Sequence, residues 1–204
     1  MTDRPVIEER ENGPLVVKGL TSMVGADGAA MEAKPVMALC RCGGSANKPF
    51  CDGSHKSNGF ESRGGTPAGK DVVLPYKGEA LTLLYNPRLC SHAAECGSRA
   101  PKAFDPTQRP WINPDAETVE KLEEVVRACP SGALQIEGRG HLLPEGVEIT
   151  IEKNGPYRLV GVDIDVDAAG EGATGDKLVL CRCGLSGNKP YCDGSHRDAG
   201  WTDD

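Results

Sequence analysis

The chain repeats the stretch Cys40-Arg-Cys-Gly-Gly-Ser-Ala-Asn-Lys-Pro-Phe-Cys-Asp-Gly-Ser-His55 as Cys181-Arg-Cys-Gly-Leu-Ser-Gly-Asn-Lys-Pro-Tyr-Cys-Asp-Gly-Ser-His196. The two stretches differ at only three of their sixteen positions. The likeness extends outward, because Asn12-Gly13-Pro14 precedes the first stretch as Asn154-Gly155-Pro156 precedes the second. A repeat of this kind indicates two copies of one structural unit, one near each end of the chain.

Each copy is predicted to form a short hairpin that turns at Asn-Gly-Pro, followed by a strand that leads to the first cysteine. The strands expected before the cysteines are Val36-Met37-Ala38-Leu39 and Lys177-Leu178-Val179-Leu180. The chain contains 26 Gly and 15 Pro, and only 4% of its residues are aromatic. This composition favours small, turn-rich modules over a single large core.

The segment between the copies has its own pattern. Leu81-Thr82-Leu83-Leu84-Tyr85 predicts a strand, and an amphipathic helix is predicted to begin with Asn113 as N-cap and Pro114 as first helical residue. The apolar residues that recur at helical spacing are Val119, Leu122, Val125 and Val126.

The cysteines and the histidine of each repeat have the spacing of metal ligands. Cys40 and Cys42 are two apart, so on an extended strand both side chains leave one face. Cys51 and His55 are four apart and lie on one face if the intervening residues open a helix. The second copy offers the same donors: Cys181, Cys183, Cys192 and His196.

Three thiolates and one imidazole suit more than one metal. Zinc accepts such a set, but zinc modules typically separate paired ligands by two to four residues, and a C-x-C pair is tighter. The ligand chemistry therefore favours an iron–sulfur centre and leaves a pair of structural zinc sites as the alternative. Nine cysteines, an odd number, make a closed disulfide framework less expected.

The complete pattern C-x-C-x2-S-x3-P-x-C-D-G-S-H, present at residues 40–55 and 181–196, resembles the CDGSH iron–sulfur domain of the mitoNEET family. The resemblance implies one [2Fe–2S] cluster in each copy. It assigns Cys40, Cys42, Cys51 and His55 to one cluster and Cys181, Cys183, Cys192 and His196 to the other. Because two motifs of that family meet in a strand-swapped homodimer, the resemblance further implies an intramolecular pseudo-dimer here.

Other residues of the motif have two interpretations each. Asp52 and Asp193 are expected to cap a short helix or to tune the cluster through hydrogen bonds. Arg41 and Arg182 alternate with the ligands along the strand, so their side chains are expected to point away from the cluster and into solvent.

The middle segment holds the three remaining cysteines, Cys90, Cys96 and Cys129. Bacterial ferredoxins place cysteines at three-residue steps and a remote cysteine before a proline. Cys90 and Cys96 occupy the outer two of those steps, Ala93 occupies the middle one, and Cys129-Pro130 matches the remote ligand. Residues 80–137 therefore resemble a divergent single-cluster ferredoxin-like domain.

Three cysteines leave one iron of a four-iron cluster without a thiolate. The predicted centre is therefore [3Fe–4S], or [4Fe–4S] with a weaker fourth ligand, for which His92 is the nearest candidate. The alternative is three buried free cysteines that bind no metal.

The net charge and the absence of known catalytic motifs argue against several classes of function. A net charge of −7 with a pI near 5.2 argues against nucleic acid as a partner. No apolar run approaches a membrane span, and no signal peptide core follows Met1, so a cytoplasmic protein without a membrane role is expected. No nucleophile elbow, phosphate loop or dinucleotide fingerprint is present, so an enzyme is not expected.

The predicted fold class is two small β-rich CDGSH modules, residues 1–68 and 147–204, in an intramolecular pseudo-dimer with an inserted α+β ferredoxin-like module, residues 69–146. The pseudo-dimer predicts a monomer whose two copies share sheets. The leading function is electron transfer to or from a redox partner protein. The alternatives are an iron–sulfur cluster carrier that serves an apo-acceptor or senses redox state or pH, and a structural zinc protein.

Overall fold

A computed structural model describes residues 4–204 of the chain. Residues 1–3, with which the first predicted module begins, lie outside the described residues. The described chain forms small β-sheets and short helices. Its strands are β1 Val6–Glu9, β2 Leu15–Lys18, β3 Ser22–Val24, β4 Ala30–Glu32, β5 Val36–Leu39, β6 Leu74–Lys77, β7 Thr82–Tyr85, β8 Leu134–Ile136, β9 Glu148–Ile151, β10 Tyr157–Val160, β11 Asp163–Asp165 and β12 Lys177–Leu180. Its α-helices are α1 Glu95–Arg99, α2 Val119–Ala128 and α3 Ser195–Asp198.

The first sheet has the strand order β11-β1-β2-β5. Its three strands β1, β2 and β5 come from the first copy and pair antiparallel around the predicted Asn-Gly-Pro turn. The edge strand β11 comes from the second copy and runs parallel to β1, with Ile164 opposite Ile7.

The second sheet has the strand order β12-β10-β9-β3-β4. Here the hairpin of β9 and β10 and the strand β12 belong to the second copy, while β3 and β4 belong to the first. Strand β3 runs parallel to β9, with Val24 opposite Thr150. Strands of both copies thus mix in both sheets, as expected from the resemblance to strand-swapped dimers. They enclose one shared core, which includes Ile7, Leu15, Met23, Ile149, Tyr157 and Leu180.

The middle segment forms the third sheet, of order β6-β7-β8, and packs it against α2 around a core of its own. The predicted strand at residues 81–85 is present as β7. The predicted helix start was wrong. Asn113 caps a separate 3₁₀ turn, Pro114–Ala116, and α2 begins after Thr118, whose hydroxyl accepts a hydrogen bond from the Lys121 amide. Glu117 is extended and separates the 3₁₀ turn from α2. The helix starts anew at Thr118 because threonine is itself a favourable N-cap.

Lys177 joins the second copy to the middle segment. Although it is a lysine, it is only 1% exposed, and its Nζ donates to the carbonyls of Val126 (2.7 Å) and His141 (2.8 Å). Val126 lies in the last turn of α2, where a cation complements the helix dipole. The matching residue of the first copy is Val36, which is 58% exposed. The lysine therefore anchors the helix that leads to Cys129.

Lys177 predicts an unusual pH dependence of stability. Burial lowers its pKa from 10.5 to about 8. Between these values the unfolded chain binds one more proton than the folded chain, so the free energy of unfolding should rise with pH, by about 3 kcal/mol from pH 8 to pH 10.5. Urea unfolding of the parent and of Lys177→Met should show this rise in the parent alone. An equal pH dependence of the free energy of unfolding in both proteins would contradict this prediction. Lys56→Met, at an exposed lysine, is the control and should behave as the parent.

Candidate metal centres

The four predicted donors of the first copy, here called the N-terminal set, lie as two pairs. The Sγ atoms of Cys40 and Cys42 are 3.7 Å apart at the end of β5. The Sγ atom of Cys51 lies 3.4 Å from Nδ1 of His55, which lies in the 3₁₀ turn Ser54–Lys56. The first pair directly follows β5, and the second consists of Cys51, which precedes the 3₁₀ turn, and His55, which lies in it.

The second copy repeats this arrangement in what we call the C-terminal set. The Sγ atoms of Cys181 and Cys183 are also 3.7 Å apart, and Cys192 Sγ lies 3.6 Å from Nδ1 of His196 on α3. Burial is the largest cause of the raised pKa of the Cys192 thiol, and the nearby sulfur of Cys181 adds to it, so Cys192 lies near Cys181. The two pairs of this set therefore face a common space.

The aspartates of the two motifs brace the ligand loops. Asp52 accepts hydrogen bonds from the amide and hydroxyl of Ser54 and from the Ala46 amide, and these bonds lower the pKa of its carboxyl. Asp193 does the same with Ser195 and the amide of Gly187. The expectation that these aspartates cap the short helices was wrong, because the N-caps are Gly53 and Gly194. Each aspartate instead joins its ligand loop to the preceding loop.

The prediction that Arg41 and Arg182 are solvated was wrong. Arg41 is 2% exposed and donates to the carbonyls of Gly13 (2.7 Å) and Arg10 (2.6 Å) and to the carboxylate of Glu9. Its guanidinium also lies over the ring of Phe60, 5.3 Å from the centroid. Strand alternation does turn the arginine away from the ligands, but the hairpin turn and the aromatic ring cover that face.

Arg182 repeats the arrangement with a different acid. It is 2% exposed, donates to the carbonyls of Gly155 and Glu152, both at 2.8 Å, and pairs with Asp203. The ring of Trp201 lies 5.0 Å from its guanidinium. Each arginine thus fixes its own Asn-Gly-Pro turn behind the C-x-C pair.

The two C-x-C loops touch each other across the molecule. A Cβ atom on Gly43 would lie 2.4 Å from the carbonyl oxygen of Cys183, and one on Gly184 would lie 2.9 Å from that of Cys42. Both glycines have positive φ, +75° and +82°, so only glycine meets both demands. The hydroxyl of Tyr157 adds a bond from the second copy to the Cys40 carbonyl, 2.7 Å long.

The three middle cysteines, here called the central set, line one mostly apolar cavity with the rings of Tyr85 and Trp111. Cys90 follows a 3₁₀ turn, Cys96 lies in α1, and Cys129 is the C-cap of α2. Their mutual proximity contributes to the raised pKa of the Cys96 thiol, about 11, for which burial is the largest cause. The structure therefore brings together the three cysteines that the sequence predicts.

The cavity lining includes Ala93 but not His92, the residue expected as fourth ligand. Ala93, at the position of the missing thiolate, lines the cavity, as does Glu95. His92, the proposed candidate, is exposed, and its Cβ packs toward Gly194 of the second copy. The histidine therefore contacts the C-terminal set's loop.

The donor chemistry suits iron–sulfur clusters. Backbone amides donate to sulfur at 3.4 Å in three places, from His92 to Cys90, from Leu185 to Cys183 and from Gly194 to Cys192. Burial raises the pKa of the Cys192 thiol to about 12, so the thiolate needs a cation in place of its proton.

The spacing of the donors also bears on the kind of metal. Within residues 4–204, no three His, Cys, Asp or Glu side chains lie close enough together to hold a single metal ion. A tetrahedral zinc site needs four donors around one ion. In each CDGSH set the four donors lie as two pairs, one of two cysteines and one of a cysteine and a histidine.

Comparisons with known proteins match these sites. The family described as "Iron-binding zinc finger CDGSH type" matches residues 12–56 and 154–197, and the family described as "Divergent 4Fe-4S mono-cluster" matches residues 76–138. The chain is also 37% identical over 60 residues to the uncharacterized protein YjdI of Escherichia coli strain K12, and equally to that of strain O157:H7. The match covers 29% of this chain and 79% of each relative.

These matches define an iron–sulfur protein. The chain belongs to the CDGSH-type iron-binding family, with two CDGSH regions that flank a divergent 4Fe–4S mono-cluster domain. The resemblance stated from the motifs is thereby confirmed. Of the helices in residues 4–204, none is long and apolar enough to cross a membrane.

Sequence reasoning missed the residues that differ between the copies. Arg158, Lys177 and Tyr157 make contacts across module boundaries, whereas the matching residues of the first copy are Val16, Val36 and Leu15. The signal was present in the sequence, because a polar residue stands in one copy where its counterpart is aliphatic.

Proposed function

We propose that this chain transfers electrons and holds two [2Fe–2S] clusters, one in each CDGSH set, and a third cluster of [3Fe–4S] or [4Fe–4S] type in the central set. The observation that carries this proposal is the direct contact between the ligand loops. Gly43 and Gly184 bring the two CDGSH sets together, and His92 next to Gly194 joins the central set to the C-terminal one. Such clusters, when bound, accept and return single electrons.

Residues that are not ligands have two tasks in this proposal. The amides of His92, Leu185 and Gly194 donate to sulfur and stabilise its negative charge. Arg41 and Arg182 hold the hairpin turns behind the C-x-C pairs, so the ligands are fixed before a cluster binds.

The shared sheets support an intramolecular pseudo-dimer that functions as a monomer, with a ferredoxin-like module inserted between the copies. We further propose a non-enzymatic role in the cytoplasm, with a redox protein as partner and neither nucleic acid nor membrane involved.

A reductive titration tests electron transfer. The purified protein should be bleached by dithionite and should regain its full visible absorbance on reoxidation. Irreversible bleaching would contradict the proposal. The second candidate, a cluster carrier, is favoured by the partial exposure of His55, and it predicts that iron and sulfide move to an apo-ferredoxin on mixing.

The central set allows a test by gain of a ligand. Ala93→Cys places a thiol at the edge of the cavity, so the variant should retain four irons where the parent loses one under air. Electron paramagnetic resonance measures this, because an oxidised [3Fe–4S] centre is paramagnetic. Ser98→Cys, at an exposed position of α1, should behave as the parent. An unchanged three-iron signal in Ala93→Cys would refute the assignment of this position.

A further inference from the structure

The two CDGSH sets have the same four donor residues, but the donors differ in their exposure to solvent. In the C-terminal set Cys183, Cys192 and His196 are buried, with His196 only 5% exposed. Their counterparts in the N-terminal set are Cys42, Cys51 and His55, all of which are partly exposed. Because the ligand motifs match, the difference must come from what covers them.

The middle segment covers the C-terminal set. A Cβ on Gly194 would meet His92 Cβ at 3.1 Å and the Ser91 carbonyl oxygen at 3.3 Å. The matching glycine of the first copy, Gly53, has nothing within 4 Å of the same position, although both have nearly the same φ, +94° and +90°. The loop at residues 91–94 therefore closes over one set and leaves the other open.

This loop is attached by residues that only the second copy has. The guanidinium of Arg197 donates to the His92 carbonyl, and Arg158 forms a 2.9 Å ion pair with Glu95, directly after the loop. The first copy has Lys56 and Val16 at these two positions.

We propose that the middle segment is a cap on the C-terminal set, and that the N-terminal set is the CDGSH site through which iron is exchanged with an external acceptor. The inference rests on the proposed ligand sets and does not depend on electron transfer. Although the two sets have the same ligands, we expect the C-terminal set to retain its iron and the N-terminal set to exchange it. The acceptor it implies is a protein or small molecule with free thiolate or nitrogen donors for iron.

A chelation experiment with chemical labelling tests the cap. The intact iron-loaded, oxidised protein is mixed with a ferric iron chelator, and samples are treated with iodoacetamide, which alkylates a cysteine only after it has lost its iron. Peptide mass spectrometry then follows Cys51 and Cys192 separately. We expect Cys51 to be labelled about tenfold faster, the factor that one charge-assisted hydrogen bond supplies.

A second test removes the two arginines that attach the loop at residues 91–94 to the second copy. Arg158→Val with Arg197→Ala should speed the labelling of Cys192 and leave that of Cys51 unchanged. Lys56→Ala, at the position that matches Arg197, should change neither rate. Circular dichroism should show that each variant is folded. If a variant is not folded, the ratio of the two rates in the parent decides the question alone.

Equal labelling rates for Cys51 and Cys192 in the parent would overturn the cap. Immediate labelling of both cysteines without chelator would instead overturn the ligand assignment itself. The metal-free protein would then still test the cap, because covered Cys192 should react more slowly than Cys51, and equal reaction would refute it.

Discussion

Replacing Arg182 with Ala should lower the free energy of unfolding by about 3 to 5 kcal/mol. The substitution removes the buried guanidinium from the Asp203 carboxylate, which then keeps only the Asn154 amide and the exposed Lys153 as partners. It also removes the donors to the carbonyls of Glu152 and Gly155. Although burial opposes ionisation of Asp203, the Arg182 guanidinium lowers the pKa of that carboxyl, so its loss leaves a charge inside the protein. Urea unfolding of parent and variant measures the loss.

Arg63→Ala is the matched control for this prediction. Arg63 also pairs with a buried carboxylate, that of Glu9, but it is exposed, and Arg41 still neutralises Glu9. Its loss should cost less than about 1 kcal/mol. A double variant, Arg182→Ala with Asp203→Asn, should recover part of the lost stability. An Arg182→Ala protein as stable as the Arg63→Ala protein would show that the buried pair is not what fixes the turn.

Replacing Cys129 with Ala should remove the iron of the central set and leave that of both CDGSH sets. Cys129 is the one member of the central set that lies remote in the chain, and it joins the end of α2 to the cavity. The backbone bond from its amide to the Val125 carbonyl does not involve the thiol, so the helix should persist. Iron analysis should show a loss of three or four irons per chain, according to the cluster type.

Ser131→Ala provides the control, because its Oγ lies 4.0 Å from Cys129 Sγ and it lines the same cavity. This variant should keep all of its iron. If Cys129→Ala kept all of its iron as well, the middle cysteines would be free thiols, and the ferredoxin-like interpretation of residues 80–137 would be wrong in this protein.

The elements that follow from local sequence were predictable. The repeat located the hairpins and the strands β5 and β12, since Asn-Gly-Pro specifies a turn and the apolar run after it specifies a strand. Likewise the Cys-Pro pair and the spacing of Cys90 and Cys96 predicted that three distant cysteines meet at one cavity.

The features that depend on packing were not predictable in this way. Strand alternation correctly turned Arg41 away from the ligands, but it could not show that Glu9 and Phe60 cover the opposite face. The start of α2 was misplaced because Asn113 and Thr118 both supply caps, and the chain uses both. Unequal exposure of matched ligands arises only when the middle segment packs on one copy.

The central claim, that three sets of donors hold iron–sulfur clusters, is tested most directly by iron and acid-labile sulfide analysis together with electron paramagnetic resonance of the purified protein. We expect sulfide in stoichiometric amounts, two irons for each CDGSH set and three or four for the central set. We also expect any signal of the oxidised protein to come from the central set, because an oxidised [2Fe–2S] cluster is silent. A colourless protein that contains zinc in place of iron, and no sulfide, would contradict the account.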